Sequence, residues 1–328
     1  MNRPKVVITF EGNDALRIAV KSVLGDYCDI VYLSDLSAGE RAAALESANA
    51  LVSYNIAGDL RPDELKRPVN AKLIQLLSAG VDHAPFGKLP HNVPVAYNPG
   101  AFADAMAEHA VAMTLAAAKR LFVEDRNMRN GEFNQFVQNR LIRGGVCAIL
   151  GFGCAGRSTA RLLRCFGMKI YAINSSGKTD EPIDFIGRTD DLEKVLGDAD
   201  VIIITLALTR TTEGLLGRRE LSWMKKDAIL VNISRGEIID EGAFYDHLKA
   251  NPDFTACIES WWIEPVRHGE FRTNYPFLDL PNVIAAPHNS ASVPGSVIEA
   301  VRRGAENVRR MLTGGEARFM VTEDQRIR

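Results

Sequence analysis

The run VCAILGFGCAGRSTARLLRCFGMKIYAIN, residues 146–174, constrains the fold more than any other stretch of the chain. An apolar strand enters a glycine turn (Gly151, Gly153, Gly156), a helix opens on that turn and is closed by Gly167, and a second apolar strand follows. Strand, tight turn, helix and strand in succession make a crossover unit of a parallel sheet. In that context the three glycines have separate tasks. The first makes the turn, the second lets the backbone approach a pyrophosphate, and the third lets helix and strand pack closely. The helix N-terminus adds free N–H groups and a positive dipole end, so Cys154, Ala155, Gly156 and Arg157 are candidates to face the phosphates of a dinucleotide. The bland alternative is a glycine-rich turn with nothing bound.

Similar alternation fills the rest of the chain. Apolar runs KVVITF, CDIVYL, ALVSY, AKLIQLLS and VPVAY precede the glycine turn with helical patterns among them, and ADVIIITLAL, AILVNIS, FTACIES and NVIAAP follow it. Two such series predict an α/β protein of two Rossmann-like, doubly wound parallel-sheet domains flanking a cleft. A long helical stretch is expected over about 104–128, and the amphipathic SVIEAVRRGAENVRRMLTGG stops at Gly314 and Gly315. The second series is complete by Pro287, which frees that last helix to return to the first domain. The expected division is a discontinuous substrate domain, 1–102 plus 293–328, and a dinucleotide-binding domain, 103–292.

Charge and composition narrow the partners. A formal net charge of -2 gives no basic footprint for nucleic acid or anionic lipid, which favours small-molecule work. The longest apolar runs, such as VIIITLAL, fall short of the roughly 18 residues of a membrane span, and no secretory signal is evident. Cys28, Cys147, Cys154, Cys165 and Cys257 are odd in number with no CxxC pair, so they are expected to be buried thiols in a reducing cytoplasm, and no metal site is expected.

In open α/β sheets ligands bind beyond the carboxyl ends of strands. AILVNISRG puts Arg235 there, FTACIESWWIEP puts Glu264 there and NVIAAPHNS puts His288 there. Hydride transfer between a nicotinamide and a 2-keto or 2-hydroxy acid needs a cation for the carboxylate and a proton carrier titrating near neutrality. Arginine and histidine supply both, and a carboxylate beside the imidazole fixes its tautomer and favours the imidazolium. Each residue alone has a bland reading as a turn arginine, a loop glutamate or a strand-end histidine; the conjunction points to catalysis. His83, His91, His109, His247 and His268 follow no strand of the nucleotide unit in this way. Trp261 and Trp262 are expected to pack a core rather than shape a pocket.

With these pieces in place, the chain resembles the D-isomer-specific 2-hydroxyacid dehydrogenases over essentially its whole length. LLSAGVDH, YNPGAFADAMAEH, LGFGCAGR, LALTRTTEGLL, NISRGEIIDE, IEP and PHNSA occur in the family's order. The resemblance implies that Arg235, Glu264 and His288 are catalytic, and that backbone N–H groups at Ala79 and Gly80 share the substrate carboxylate with Arg235. It also implies that Leu206, Ala207, Thr212, Ile233, Ser234, Glu259 and His288 face the cofactor, and that residues of about 104–145 form a homodimer interface. Formate dehydrogenases share the fold but would have glutamine at Glu264. Phosphoglycerate dehydrogenases and corepressor scaffolds of the same fold remain alternatives to a reductase of glyoxylate, hydroxypyruvate or a similar small acid. Glu259 stands where the family usually has aspartate, and Thr205 and Ala207 replace a histidine and a proline. Asn174 replaces the ribose-binding acid, which removes a charge that would repel a 2′-phosphate. With Ser175, Ser176, Lys178 and Arg157 nearby, NADP(H) is expected to be favoured over NAD(H).

Overall fold

Runs rich in valine and isoleucine form parallel ladders throughout this computed structural model, which describes residues 3–327. Two units emerge, one running to Phe102 and resuming at Val293, the other spanning Ala103–Ser292. In the first unit, β1 (Lys5–Ile8), β2 (Asp29–Tyr32), β3 (Ala50–Ser53), β4 (Ile74–Leu76) and β5 (Val95–Ala96) make a five-stranded sheet in the order β2-β1-β3-β4-β5. Val6, Val7, Ile8, Leu51, Val52, Ile74 and Leu76 are buried on both faces, as expected of a parallel sheet covered by helices. The helix Ser296–Leu312 belongs to this unit. Val301, Ala305 and Val308 pack with Ala19, Val20, Leu24 and Leu77, and Gly304 lies so close to the Leu77 side chain that no Cβ fits between them.

The second unit is a seven-stranded parallel sheet of β6 (Val146–Leu150), β7 (Lys169–Ile173), β8 (Phe185–Gly187), β9 (Val201–Ile204), β10 (Ile229–Asn232), β11 (Thr255–Ile258) and β12 (Val283–Ala285). Its order, β12-β11-β10-β9-β6-β7-β8, reverses direction between β6 and β9. That reversal is the topological switch point, where the carboxyl ends of neighbouring strands open a crevice. The glycine turn follows β6 directly at this point.

Several elements differ from the expectation. The helical stretch after residue 103 is two helices, Ala103–Ala118 and Leu121–Arg129. Arg120 between them is left-handed (φ 53°), and the Ala118 carbonyl accepts from Arg140 N at 2.9 Å instead of continuing the helical ladder. Strand β8 has only three residues at the sheet edge, too short for a periodic signal. The thiols also divide. Cys28, Cys147 and Cys257 are buried, whereas Cys154 is half-buried and Cys165 exposed, because both lie on the helix after the glycine turn rather than on a strand. Burial pushes the Cys28 thiol up to about 11 and those of Cys147 and Cys257 higher still, so these three are inert packing groups. Among the described residues no helix is long and apolar enough to cross a membrane, and no cluster of three or more His, Cys, Asp or Glu could hold a metal.

Candidate active site

The glycine turn is built for close approach. Gly151 has φ 95°, and a Cβ there would stand 2.6 Å from Leu206 N, so only glycine passes between the ends of β6 and β9. A Cβ on Gly156 would collide with the Gly151 carbonyl, which itself accepts from the Thr205 hydroxyl. Thr205, small and hydrogen-bonding, thereby fits the crowded turn. Gly153 is different: a Cβ there would meet nothing within 4 Å. Internal packing does not require glycine at 153, whereas a ligand approaching the backbone does. The helix Cys154–Cys165 starts at this point, and the N–H groups of its first turn lack intrahelical acceptors. The residues present therefore fit a dinucleotide pyrophosphate.

After β7, the Asn174 side chain is engaged in its own loop. Its Oδ1 accepts from Gly177 N at 2.6 Å and Ser176 Oγ at 3.2 Å, and its Nδ2 donates to Lys178 O at 2.8 Å. Ser175, Ser176 and Lys178 are exposed around this turn. Arg157 is paired with Asp180 at 2.7 Å, which compensates its charge. Arg188, by contrast, was not legible in the sequence. Asn174 N donates to Gly187 O at 3.1 Å, which sets the β8 end beside the loop, and Arg188 Nη2 then donates to Ser176 O at 3.1 Å. Farther along the crevice, the Ser234 hydroxyl donates to Leu206 O, and the Thr212 hydroxyl donates to Ala207 O at 2.6 Å, so both brace the loops after β9. Ile233 is fully buried behind them.

Arg235 follows β10 in a turn held by Asn232, whose Nδ2 donates to Arg235 O at 2.9 Å and whose Oδ1 accepts from Ser234 N at 3.0 Å. Glu264 follows β11 and opens the short helical turn Pro265–His268. His288 follows β12 with a left-handed backbone, φ 51°, uncommon for a residue other than glycine. Its N–H donates to Glu259 O at 3.0 Å. The Glu259 carboxyl is fully buried, with Oε1 accepting from Ser290 N at 2.8 Å and Oε2 from Ser260 Oγ at 3.2 Å. That geometry makes Glu259 a brace for the 288–290 loop.

The imidazole and carboxylate meet. His288 Nδ1 lies 2.9 and 2.8 Å from Glu264 Oε1 and Oε2, and Trp261 N donates to Glu264 Oε1 at 2.7 Å. Glu264 is buried and His288 one-third exposed, so the pair is anchored at one end and open at the other. Burial alone pushes the Glu264 carboxyl up. The hydrogen bond and charge of His288, the Trp261 N–H and the Arg235 guanidinium together outweigh it and hold the carboxyl below its ordinary value. An ionised carboxylate on Nδ1 requires a proton there, which leaves Nε2 as the working nitrogen. His268 Nδ1 accepts from Glu264 N at 3.0 Å, on the main chain behind the pair. Trp261 and Trp262 are buried, donating their indole N–H groups to Ala286 O and Ile239 O. In the first unit Ala79 and Gly80 lie in the loop after β4, where Ser78 Oγ donates to Gly80 O at 2.7 Å.

A parallel sheet of this order, a glycine turn at its switch point and an imidazole–carboxylate pair at the same strand ends define a nicotinamide-nucleotide oxidoreductase. Residues 111–290 match the family model described as D-isomer specific 2-hydroxyacid dehydrogenase, NAD binding domain. The chain is 30% identical over 322 residues to a glyoxylate reductase of Aeropyrum pernix, covering 94% of this chain and 92% of that one. It is 30% identical over 244 residues to a hydroxypyruvate reductase of Thermotoga maritima, covering 74% and 76% respectively. A solved acyclic imino acid reductase in complex with NADPH and D-Arg superposes with a TM-score of 0.75 over 97% of this chain and 100% of that one, and at 21% identity shares the fold alone. The chain belongs to the D-isomer-specific 2-hydroxyacid dehydrogenase family and is an NAD(P)-dependent dehydrogenase.

Proposed function

We propose that the protein reduces a small 2-keto acid of the glyoxylate or hydroxypyruvate class, with Arg235, Glu264 and His288 as its catalytic residues. The observation that supports this most is the His288–Glu264 contact at 2.8 Å beside the glycine turn. A nicotinamide held along the crevice would supply the hydride. Arg235 grips the substrate carboxylate, helped by the N–H groups at Ala79 and Gly80, and polarises the carbonyl. His288 Nε2 then gives its proton to the keto oxygen, and Glu264 holds the imidazole and balances its charge. The names of the Aeropyrum and Thermotoga relatives favour this substrate class.

The preferred cofactor is NADP(H). Asparagine at 174 removes from that position the carboxylate that would oppose a 2′-phosphate, and Lys178 and Arg188 flank the loop with positive charge. At an effective dielectric near 20 and a separation of about 5 Å, one unit charge pair is worth roughly 3 kcal/mol before screening, enough for about tenfold preference. Asn174→Asp keeps both accepted hydrogen bonds and replaces the one donated to Lys178 O with two facing oxygens, so the side chain turns from that carbonyl as the charge appears. Wild-type kcat/KM on glyoxylate or hydroxypyruvate is expected to be higher with NADPH, and Asn174→Asp or Arg188→Ala to shift the ratio toward NADH by about tenfold. A wild-type preference for NADH would overturn the cofactor reading, and inactivity on a 2-keto acid panel with both cofactors would overturn the substrate reading.

The working form is a homodimer in the cytoplasm. Leu121, Phe122, Met128, Phe133, Phe136 and Leu141 are all exposed within the expected 104–145 interface, an apolar concentration that free solvent disfavours. Phe136→Asp combined with Leu141→Asp is expected to yield a monomer by sedimentation velocity. Wild type sedimenting as a monomer would remove the dimer. The five free cysteines and near-neutral charge suit a reducing compartment and a small-molecule partner.

A further inference from the structure

We propose that Glu237 and Arg267 form a clasp that sets Arg235 and Glu264 in register, which makes them positioning residues for the reaction. The inference rests on the reading of Arg235 and Glu264 as catalytic. Those two residues stand on turns after neighbouring strands, β10 and β11, whose ladder ends at Asn232 and Ile258, short of both turns. The turns touch main chain to main chain: a Cβ on Gly236 would stand 2.5 Å from both Trp261 C and Trp262 N. Contact of that kind limits approach without giving direction.

Direction comes from side chains: the Trp262 indole N–H donates to Ile239 O at 2.7 Å, and beside it lies a forked ion pair. Arg267 Nη1 donates to Glu237 Oε2 at 3.0 Å, and Nη2 lies 2.7 Å from Oε1. Glu237 is in the turn Gly236–Ile238, two residues after Arg235; Arg267 is in the turn Pro265–His268, three residues after Glu264. Arg267 N and His268 N both donate to Glu264 O, at 3.2 and 2.8 Å, so the arginine is rigidly related to the carboxylate. The side chains are 5% and 19% exposed, which limits screening by water. A buried pair adds little to stability compared with apolar packing, yet a planar guanidinium facing a carboxylate through two contacts tolerates little sliding. The clasp therefore acts on geometry more than on folding.

The test replaces both partners at once, Glu237→Leu with Arg267→Met, so that neither charge is left buried alone. The double variant is expected to keep a thermal midpoint close to wild type and an unchanged NADPH dissociation constant by fluorescence titration. Its kcat for keto-acid reduction falls roughly ten- to hundredfold and its KM for the keto acid rises, since small misplacements of catalytic groups cost that much. A merely structural role would move the midpoint and leave the kcat and KM of the folded fraction alone; wild-type constants in the folded double variant overturn the clasp. Should that variant fail to fold, the exchange Glu237→Arg with Arg267→Glu decides: recovery of about tenfold in kcat over Glu237→Arg alone supports the clasp, and no recovery overturns it. Arg235→Ala is run alongside. If it is fully active, the site reading and this inference fall together, whereas an inactive Arg235→Ala with an unaffected clasp variant removes only the clasp.

Discussion

Arg235→Ala is expected to lower kcat/KM for glyoxylate or hydroxypyruvate by about two to three orders of magnitude, with cofactor affinity nearly unchanged. Removing one partner of a desolvated charge pair costs roughly 3–5 kcal/mol, and each 1.4 kcal/mol is a factor of ten. Arg235 is prepared for this duty by Asn232, nearly fully buried, whose side chain bonds Arg235 O and Ser234 N and so fixes the turn independently of the guanidinium. The guanidinium itself donates through Nη1 to the Ser234 carbonyl at 2.7 Å, a bond that a substrate carboxylate can exchange for a stronger, charge-assisted one. Arg235→Lys keeps the charge and loses the planar fork, so its activity should fall between wild type and alanine. Steady-state kinetics with a keto-acid panel measures all three, and near-normal constants for Arg235→Ala would remove this residue from the mechanism. Arg235 also helps depress the Glu264 carboxyl, so the alanine variant should raise that group toward the ordinary carboxylate range.

The features legible in the sequence are those whose causes are local. Gly151 and Gly156 sit where a side chain would strike neighbouring backbone, and the strand–turn–helix context announces that crowding. Strands β6, β7, β9, β10 and β11 are apolar runs bounded by turns, and they appear with the expected order of elements. What sequence leaves hidden depends on register and partners. Arg188 reaches the cofactor-side loop only because β7 pairs with β8 so that Ile173 opposes Gly187, and three edge residues have no pattern to reveal that. Arg157, attractive as a phosphate ligand at a helix start, is paired with Asp180, a residue 23 positions away. Glu259 is one methylene longer than the family's aspartate, and that length lets it reach Ser290 N across the β11–β12 turns. The Glu237–Arg267 pair spans 30 positions, and nothing in either segment alone distinguishes these side chains from solvated charges.

His288→Asn should slow keto-acid reduction by roughly two to four orders of magnitude, the usual range for loss of a general acid, while NADPH affinity changes little. Asparagine is the informative replacement because position 288 has φ 51°, and asparagine tolerates that left-handed backbone better than alanine. It also retains an amide that can donate to Glu264, so the loop braced by Glu259 and Ser290 should persist. What disappears is the ring nitrogen that donates the proton. A stability readout separates this from loss of fold. In wild type the folded Glu264 carboxyl lies below its ordinary value, so its contribution to stability is present above that value and is lost as pH falls through the folded one. Without the imidazole the effect of burial gains ground and the carboxyl moves up, so that contribution shrinks at neutral pH. The gap in thermal midpoint between wild type and His288→Asn should therefore be widest near neutrality and close on acidification through the carboxylate range. A collapse of NADPH affinity in fluorescence titration, or a gap that widens toward acid, would make His288 a structural residue and leave the proton donor to be found elsewhere.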